Sequence, residues 1–287
     1  MNSNIVVFTS TDRTNWLKNL AFIQQRYNRS GNGEKIVFSF SSSVRPEKMQ
    51  PIHLVTLACM IQYLIDNGWK AYLSNGNESI HNHLFRELRF QDYWSGGKNH
   101  VDAPYSDGIF NLWRIKQDEM DAFAYNVHQY FKKIYPDKDL SSIVLCLTES
   151  FYNIFDHADA KDNAFVFLKY QRDKSVLHAA IADYGKGICR SVMEYSKTNL
   201  DDVTALRKAM EYNFTVKSTE RNKGYGLSNI VHNSDIMRIF SGHALFLKTD
   251  KTKKFYKTDF PFHGTLVYFE VDLSKAEAEE IIDNFSF

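Results

Sequence analysis

Three stretches of this sequence hold residue types whose spacing could do chemistry. In the first, Glu149-Ser-Phe-Tyr-Asn153-Ile-Phe-Asp156-His157, Glu149 and Asn153 stand four positions apart. On a helix they share one face. A carboxylate and an amide oxygen side by side can hold a water and Mg²⁺, a hard cation that keeps several waters and takes oxygen ligands. Ordinary solvated helices show the same spacing. In the second, Asp183 ends the apolar run SVLHAAIA and is followed by Tyr184-Gly185-Lys186-Gly187. A carboxylate at a strand end suits a flat base, because it can accept an exocyclic amine while bare glycine backbone allows close approach. A strand–turn–helix connection with Asp183 as helix cap reads the same way. In the third, Asn222-Lys223-Gly224-Tyr225-Gly226-Leu227 leads into SNIVHNS. Unpaired N–H groups and the dipole at a helix start favour an anion, although a plain loop entering a helix has the same pattern.

Those residues need elements to position them. LSSIVLCLTESFYNIFDHA and QDEMDAFAYNVHQYFKKIY read as amphipathic helices, DDVTALRKAMEYNF as a further helix, and GLSNIVHNS as the start of another. IFNLWRI, AFVFLKY, SVLHAAIAD, DIMRIF, HALFLK and GTLVYFEVDL read as strands. Helices precede and interrupt runs of strand, which predicts an α+β layer sandwich. Further toward the N-terminus, KIVFSF (Lys35–Phe40) and WKAYLS (Trp69–Ser74) read as strands. Between them Pro51 opens the helical run HLVTLACMIQYLIDNG, and IHNHLFRELRF follows as a second helix. The polar, glycine-containing interval Ser95–Gly108 separates the two patterned halves. It predicts a small α/β module over 1–100 and a larger unit over 109–287.

Composition bounds the function classes. Hydrophobic residues make up 44% of the 287 residues, enough for a core. The 35 basic and 34 acidic residues nearly cancel, which disfavours a nucleic-acid binder. Cys59, Cys146 and Cys189 are far apart and form no C-x-x-C pair, which argues against a disulfide framework and fits a reducing, cytoplasmic location. No leader pattern opens the chain and no stretch has the length of a membrane span, so no membrane association is expected.

Taken in order, the Glu/Asn helix, D-x-G-x-G after a strand, G-x-G-L into a helix, and Gly264-Thr265 opening the last strand form one set. This set resembles the Bergerat-fold ATPases: gyrase-type enzymes, heat-shock chaperones, sensor histidine kinases and mismatch-repair ATPases. Coverage is about residues 111–273. Glu149 and Asn153 match the family's N box, Asp183, Gly185 and Gly187 its first glycine box, and Gly224, Gly226 and Leu227 its second. Thr265 matches the strand threonine that supports the adenine-binding Asp. His157, four residues after Asn153, and the segment TVKSTERNKGYGLSNI are similar to the histidine-kinase and anti-sigma-factor kinase group. Ile154 stands where that group usually has Ala, Asp156 is closer to the gyrase type, and Tyr184 takes a place often held by a polar residue. Residues 35–93 resemble, more distantly, the STAS domain of anti-sigma-factor antagonists. The Asp-Ser pair that is phosphorylated there is missing, since the stretch reads SSSVRPEKMQ.

The resemblance implies a histidine-kinase-like α/β sandwich, with a mixed sheet and helices on one face, that binds ATP with Mg²⁺. It implies Mg²⁺ coordination by Asn153, a water-orienting or proton-accepting Glu149, and adenine recognition by Asp183. Gly185, Gly187, Gly224 and Gly226 would let backbone approach base and phosphates, with Leu227 and Thr265 in support. His157, Lys217 and Lys223 would be candidates to meet phosphate, and Ser218 and Thr219 are weaker ones; each also fits a structural or solvated role. His128 lacks the acidic neighbour and the proline of a phospho-accepting histidine, so autokinase activity is not expected. Nor is a gyrase-type transducer domain expected. The expected protein hydrolyses ATP slowly or passes its phosphoryl group to a protein Ser/Thr, and switches a protein partner or a homodimer. A non-hydrolysing ATP-binding module is the alternative. Residues 109–287, which hold all four motifs, are expected to bind nucleotide alone.

Overall fold

The computed structural model describes residues 4–92, 94, 108–157, 164–211 and 226–279. The fold is α+β, built on two sheets. The first is parallel, in the order β1 (Asn4–Phe8), β2 (Lys35–Phe40), β3 (Lys70–Leu73). Parallel neighbours need crossovers, and these are α1 (Arg13–Arg26) and α2 (Pro51–Asp66). The alternation along β1 and β2 turns Val6, Phe8, Ile36, Phe38 and Phe40 into the core, while Ile5 and Val7 stay exposed. The early pair β1–α1 went unread in the sequence, although Trp16, Leu17, Leu20 and Ile23 all lie buried on one face at helical spacing. The expected helix IHNHLFRELRF is instead a short α-helix, α3 (Glu78–Asn82), continued by a π-helical turn over His83–Glu87.

The second sheet has the order β4 (Ile109–Ile115), β5 (Ala164–Gln171), β6 (Val176–Asp183), β8 (Lys253–Asp272), β7 (Ile236–Lys248). Every pairing in it is antiparallel, not mixed as expected. The reason lies in the connections: only a tight turn separates β5 from β6 and β7 from β8, and such links join antiparallel strands. The runs DIMRIF and HALFLK are one strand. Register shifts around Gly242 bend it, where Gly242 adopts φ +55° and the His243 amide donates to Asp202 Oδ2 at 2.7 Å.

Both faces of this second sheet are covered, again unlike the expectation of helices on one face. Val166, Leu168, Ala179, Ile181, Val267 and Phe269 pack with α4 (Met120–Ile134), α5 (Ser141–His157), α6 (Gly187–Ser196), α7 (Asp202–Ala209) and α8 (Gly226–Asn233). The alternate residues Phe165, Phe167, Ala180, Ala182, Leu266 and Tyr268 share a different core with α1, α2 and the first sheet. The layers therefore run sheet, helices, sheet, helices. Thirteen residues of α2 are buried, from Pro51 to Leu64, because the helix lies between two sheets. Its apolar surface all round is what that position demands. The described part of the N-terminal segment, from residue 4 on, thus supplies one face of the core of the second sheet. Among the described residues no helix is long and apolar enough to cross a membrane, and all three cysteines are free and buried.

Candidate functional site

The carboxylate of Asp183 lies at the C-terminal end of β6 and is fully buried. The strand alternation puts it on the face of Ile181 and Ala179, the face that α5 covers. Its Oδ1 accepts from the Gly185 amide at 2.6 Å, and its Oδ2 from the Thr265 amide of β8 at 3.1 Å. It does not cap the following helix: α6 starts after Lys186 with no side-chain cap bond. Burial pushes the pKa of Asp183 up to about 7, against the pull of the Gly185 and Thr265 amides. Thr265 Oγ1 is buried beside the same carboxylate, and its hydroxyl also pulls that pKa down.

Glycines make this packing possible. Gly264, at φ +89°, presses on the backbone carbonyl of Asp183, and Gly187, at φ +78°, presses on Gly264 and on Ser241 Oγ. A side chain at either position would overlap main-chain atoms. Gly264→Ala combines that overlap with a left-handed backbone. It should cost about 1–3 kcal/mol and lower the denaturation midpoint accordingly. An unchanged midpoint would mean that β8 can move away from Asp183.

Tyr184 explains its own departure from the expected polar residue. Its ring packs edge-on against Tyr63 of α2 at 6.0 Å and against Phe262 of β8 at 5.5 Å. The Asp183 loop therefore rests on a helix from the N-terminal segment, a contact that no motif in the sequence announces.

Glu149 and Asn153 form a second cluster, where α5 packs against α8. Asn153 is buried and its Nδ2 donates to the Glu149 carbonyl at 2.6 Å, which leaves Oδ1 as the atom able to ligate. Asn229 Nδ2 of α8 donates to Glu149 Oε1 at 2.9 Å. Burial raises the Glu149 pKa, and the Asn229 bond opposes the rise. Gly226, the first residue of α8, lies so close that a Cβ there would stand 3.1 Å from Glu149 Oε2 and 3.3 Å from Asn153 Nδ2. Leu227 is buried beneath the same turn. The sequence reading missed Asn229; its position one turn after Gly226 on a helix was the available signal.

The structure thus brings Glu149, Asn153 and Gly226 together, and separately Asp183, Gly185, Gly187 and Thr265. No described hydrogen bond joins the two clusters. His157 ends α5, but its side chain is outside the described residues, as are Lys217, Ser218, Thr219, Lys223 and Gly224. The interval Ser95–Gly108 is likewise outside except for Gly108. Among the described residues no group of three or more His, Cys, Asp or Glu side chains could hold a metal ion. No protein-family model matches the chain, and no curated protein is similar to it.

Proposed function

We propose that this chain binds ATP with Mg²⁺ through the Asp183 and Glu149–Asn153 clusters, and that it hydrolyses the nucleotide or passes its γ-phosphoryl group to a protein. The finer fold reading, a Bergerat-type nucleotide domain over 109–287 with a STAS-like module before it, belongs to the same proposal. The observation that carries it is the fully buried carboxylate of Asp183, which accepts from the Gly185 and Thr265 amides and is met by no cation among the described residues. A buried acid without a cation is uncommon outside functional sites. Each of its oxygens has a further lone pair for an amine donor, and Thr265 Oγ1 is a second buried polar atom at hand.

The residues present fit a magnesium nucleotide. Asn153 Oδ1 offers one oxygen ligand, and with no acidic cage among the described residues a cation there would keep water and take phosphate oxygens, as Mg²⁺ does. Bound Mg²⁺·ATP supplies the electrophilic phosphoryl group. Glu149, its pKa raised by burial, accepts a proton from the attacking water or hydroxyl. Asn229 keeps that carboxylate turned toward α8. Gly226 keeps the space beside it free of side-chain atoms.

Asp183→Asn tests the base site. Wild type should melt higher with millimolar Mg²⁺·ATP, because a ligand of the native state alone adds stability by mass action. The variant should lose most of that shift, since an NH₂ group then meets either a backbone N–H or the amine. Asp183 also sets a pH dependence. Its folded pKa, about 7, lies above the ordinary carboxylate value. Its contribution to stability is therefore complete below about pH 4 and is lost as pH rises through about 7. Against Asp183→Asn, wild type should lose on the order of a few kcal/mol across that window. Nucleotide binding should move the other way and strengthen toward pH 7, because an amine donor favours the ionised acid. No melting shift with Mg²⁺·ATP in wild type would remove the nucleotide assignment.

A further inference from the structure

A cleft of about 600 Å³ opens where the start of α1, the turn Pro46–Lys48 and strand β7 meet. It lies on the α1 side of the second sheet, since Arg238 shares the face of Tyr268 and Phe240. Asp183 and Thr265 belong to the opposite face of the second sheet, with Ile181 and Val267, so this cleft is separate from the site proposed above. Arg13, Lys48 and Arg238 line it. Arg238 Nη1 is buried and has no hydrogen-bond partner. Its ion pair with Glu270 Oε1 is long, 3.9 Å and beyond hydrogen-bond reach, and that oxygen accepts from Tyr268 Oη at 2.6 Å. Arg13 gives Nε and Nη2 to Gln50 Oε1 at 2.8 and 2.5 Å, an acceptor without charge. Both guanidinium groups lie near the same ring, with Cζ 5.6 and 5.4 Å from the Tyr268 centroid.

Two like charges held together with a donor left over are costly unless an anion joins them. Burial first and the neighbouring Arg13 next lower the Arg238 pKa, and Glu270 and Tyr268 oppose the shift without cancelling it. Glu270, at 3.9 Å from Arg238, and the acids of the cleft offset this only in part. Asp12 Oδ1 is engaged in capping α1 through the Asn15 amide at 2.9 Å, and Glu47 projects from the exposed turn. Phe240 and Leu245 supply an apolar wall.

We propose that this cleft binds a phosphate monoester, with its oxyanion on Arg13, Arg238 and Lys48 and its organic part against Phe240 and Leu245. Guanidinium forks match phosphate oxygens in number and direction. The cleft is too large for a bare ion, so a small organic body fits it better than inorganic phosphate.

The test is calorimetric titration of phenyl phosphate into the full chain in a buffer free of phosphate and sulfate, with benzoate as the carboxylate counterpart. Phenyl phosphate should bind saturably and benzoate at least tenfold more weakly. Arg238→Gln and Arg13→Gln should each weaken phenyl phosphate by about ten- to a hundredfold. Asp183→Asn should leave its affinity unchanged, which separates this site from the nucleotide site. Lys48→Gln alters only an exposed side chain and should cost several-fold even if Arg238→Gln does not fold. The proposal is overturned by absence of saturation at millimolar phenyl phosphate, by equal affinity for benzoate, or by affinity that survives Arg13→Gln and Lys48→Gln but is lost in Asp183→Asn.

Discussion

Residues 109–287 expressed without the N-terminal segment are expected to aggregate, not to melt cooperatively. Phe165, Phe167, Ala180, Ala182, Leu266 and Tyr268 are at most 2% exposed in the whole chain, and α1 and α2 belong to the core that covers them. Taking away those helices would leave a continuous apolar sheet face in water, well beyond what single domains tolerate. The expectation that this segment binds nucleotide alone does not take that face into account. Co-expression of residues 1–94 should restore a soluble complex, because α2 brings its own apolar surface to the junction. In the intact chain, Leu57→Ala removes a fully buried side chain of α2 and should cost about 2–5 kcal/mol. A soluble fragment that melts near the temperature of the full chain would show that the second sheet stands without α2.

Glu149→Ala is expected to leave ATP binding in place while turnover falls by about 10²–10⁴-fold, the usual contribution of a positioned base. Asn153→Ala should instead weaken binding, and only when Mg²⁺ is present, since its amide oxygen is the ligand. The two substitutions separate because the residues contact different things: Glu149 Oε1 is tied to Asn229 across to α8, whereas Asn153 Nδ2 is tied to its own helix. Phosphate release and nucleotide affinity measured on both variants, with and without Mg²⁺, decide the assignment. Equal turnover in Glu149→Ala and wild type would make the protein a nucleotide-binding module without catalysis. Loss of binding in Glu149→Ala would instead give the carboxylate a structural part between α5 and α8.

Local pattern in the sequence was enough for most of the second half. The helices α4, α5 and α8 and the strands β4 to β6 follow from period and end signals that each element carries within itself. So did the pairing of Glu149 with Asn153, because helical spacing alone puts them on one face. Sheet direction was not local: it depended on which strands met across tight turns, and the antiparallel order emerged only from the pairing. The strand runs AFVFL and HAAIA carried an unused signal. Their unbroken apolar character fits strands buried on both faces, yet one chain cannot say which helix will lie on the second face. Tertiary packing made that choice, seating α2 between two sheets and Tyr63 against Tyr184. It also set the ionisation of Asp183. A sequence gives the residue type, but the desolvation that lifts its pKa comes from complete burial in the folded chain, and the Thr265 amide that opposes the rise arrives from 82 positions away.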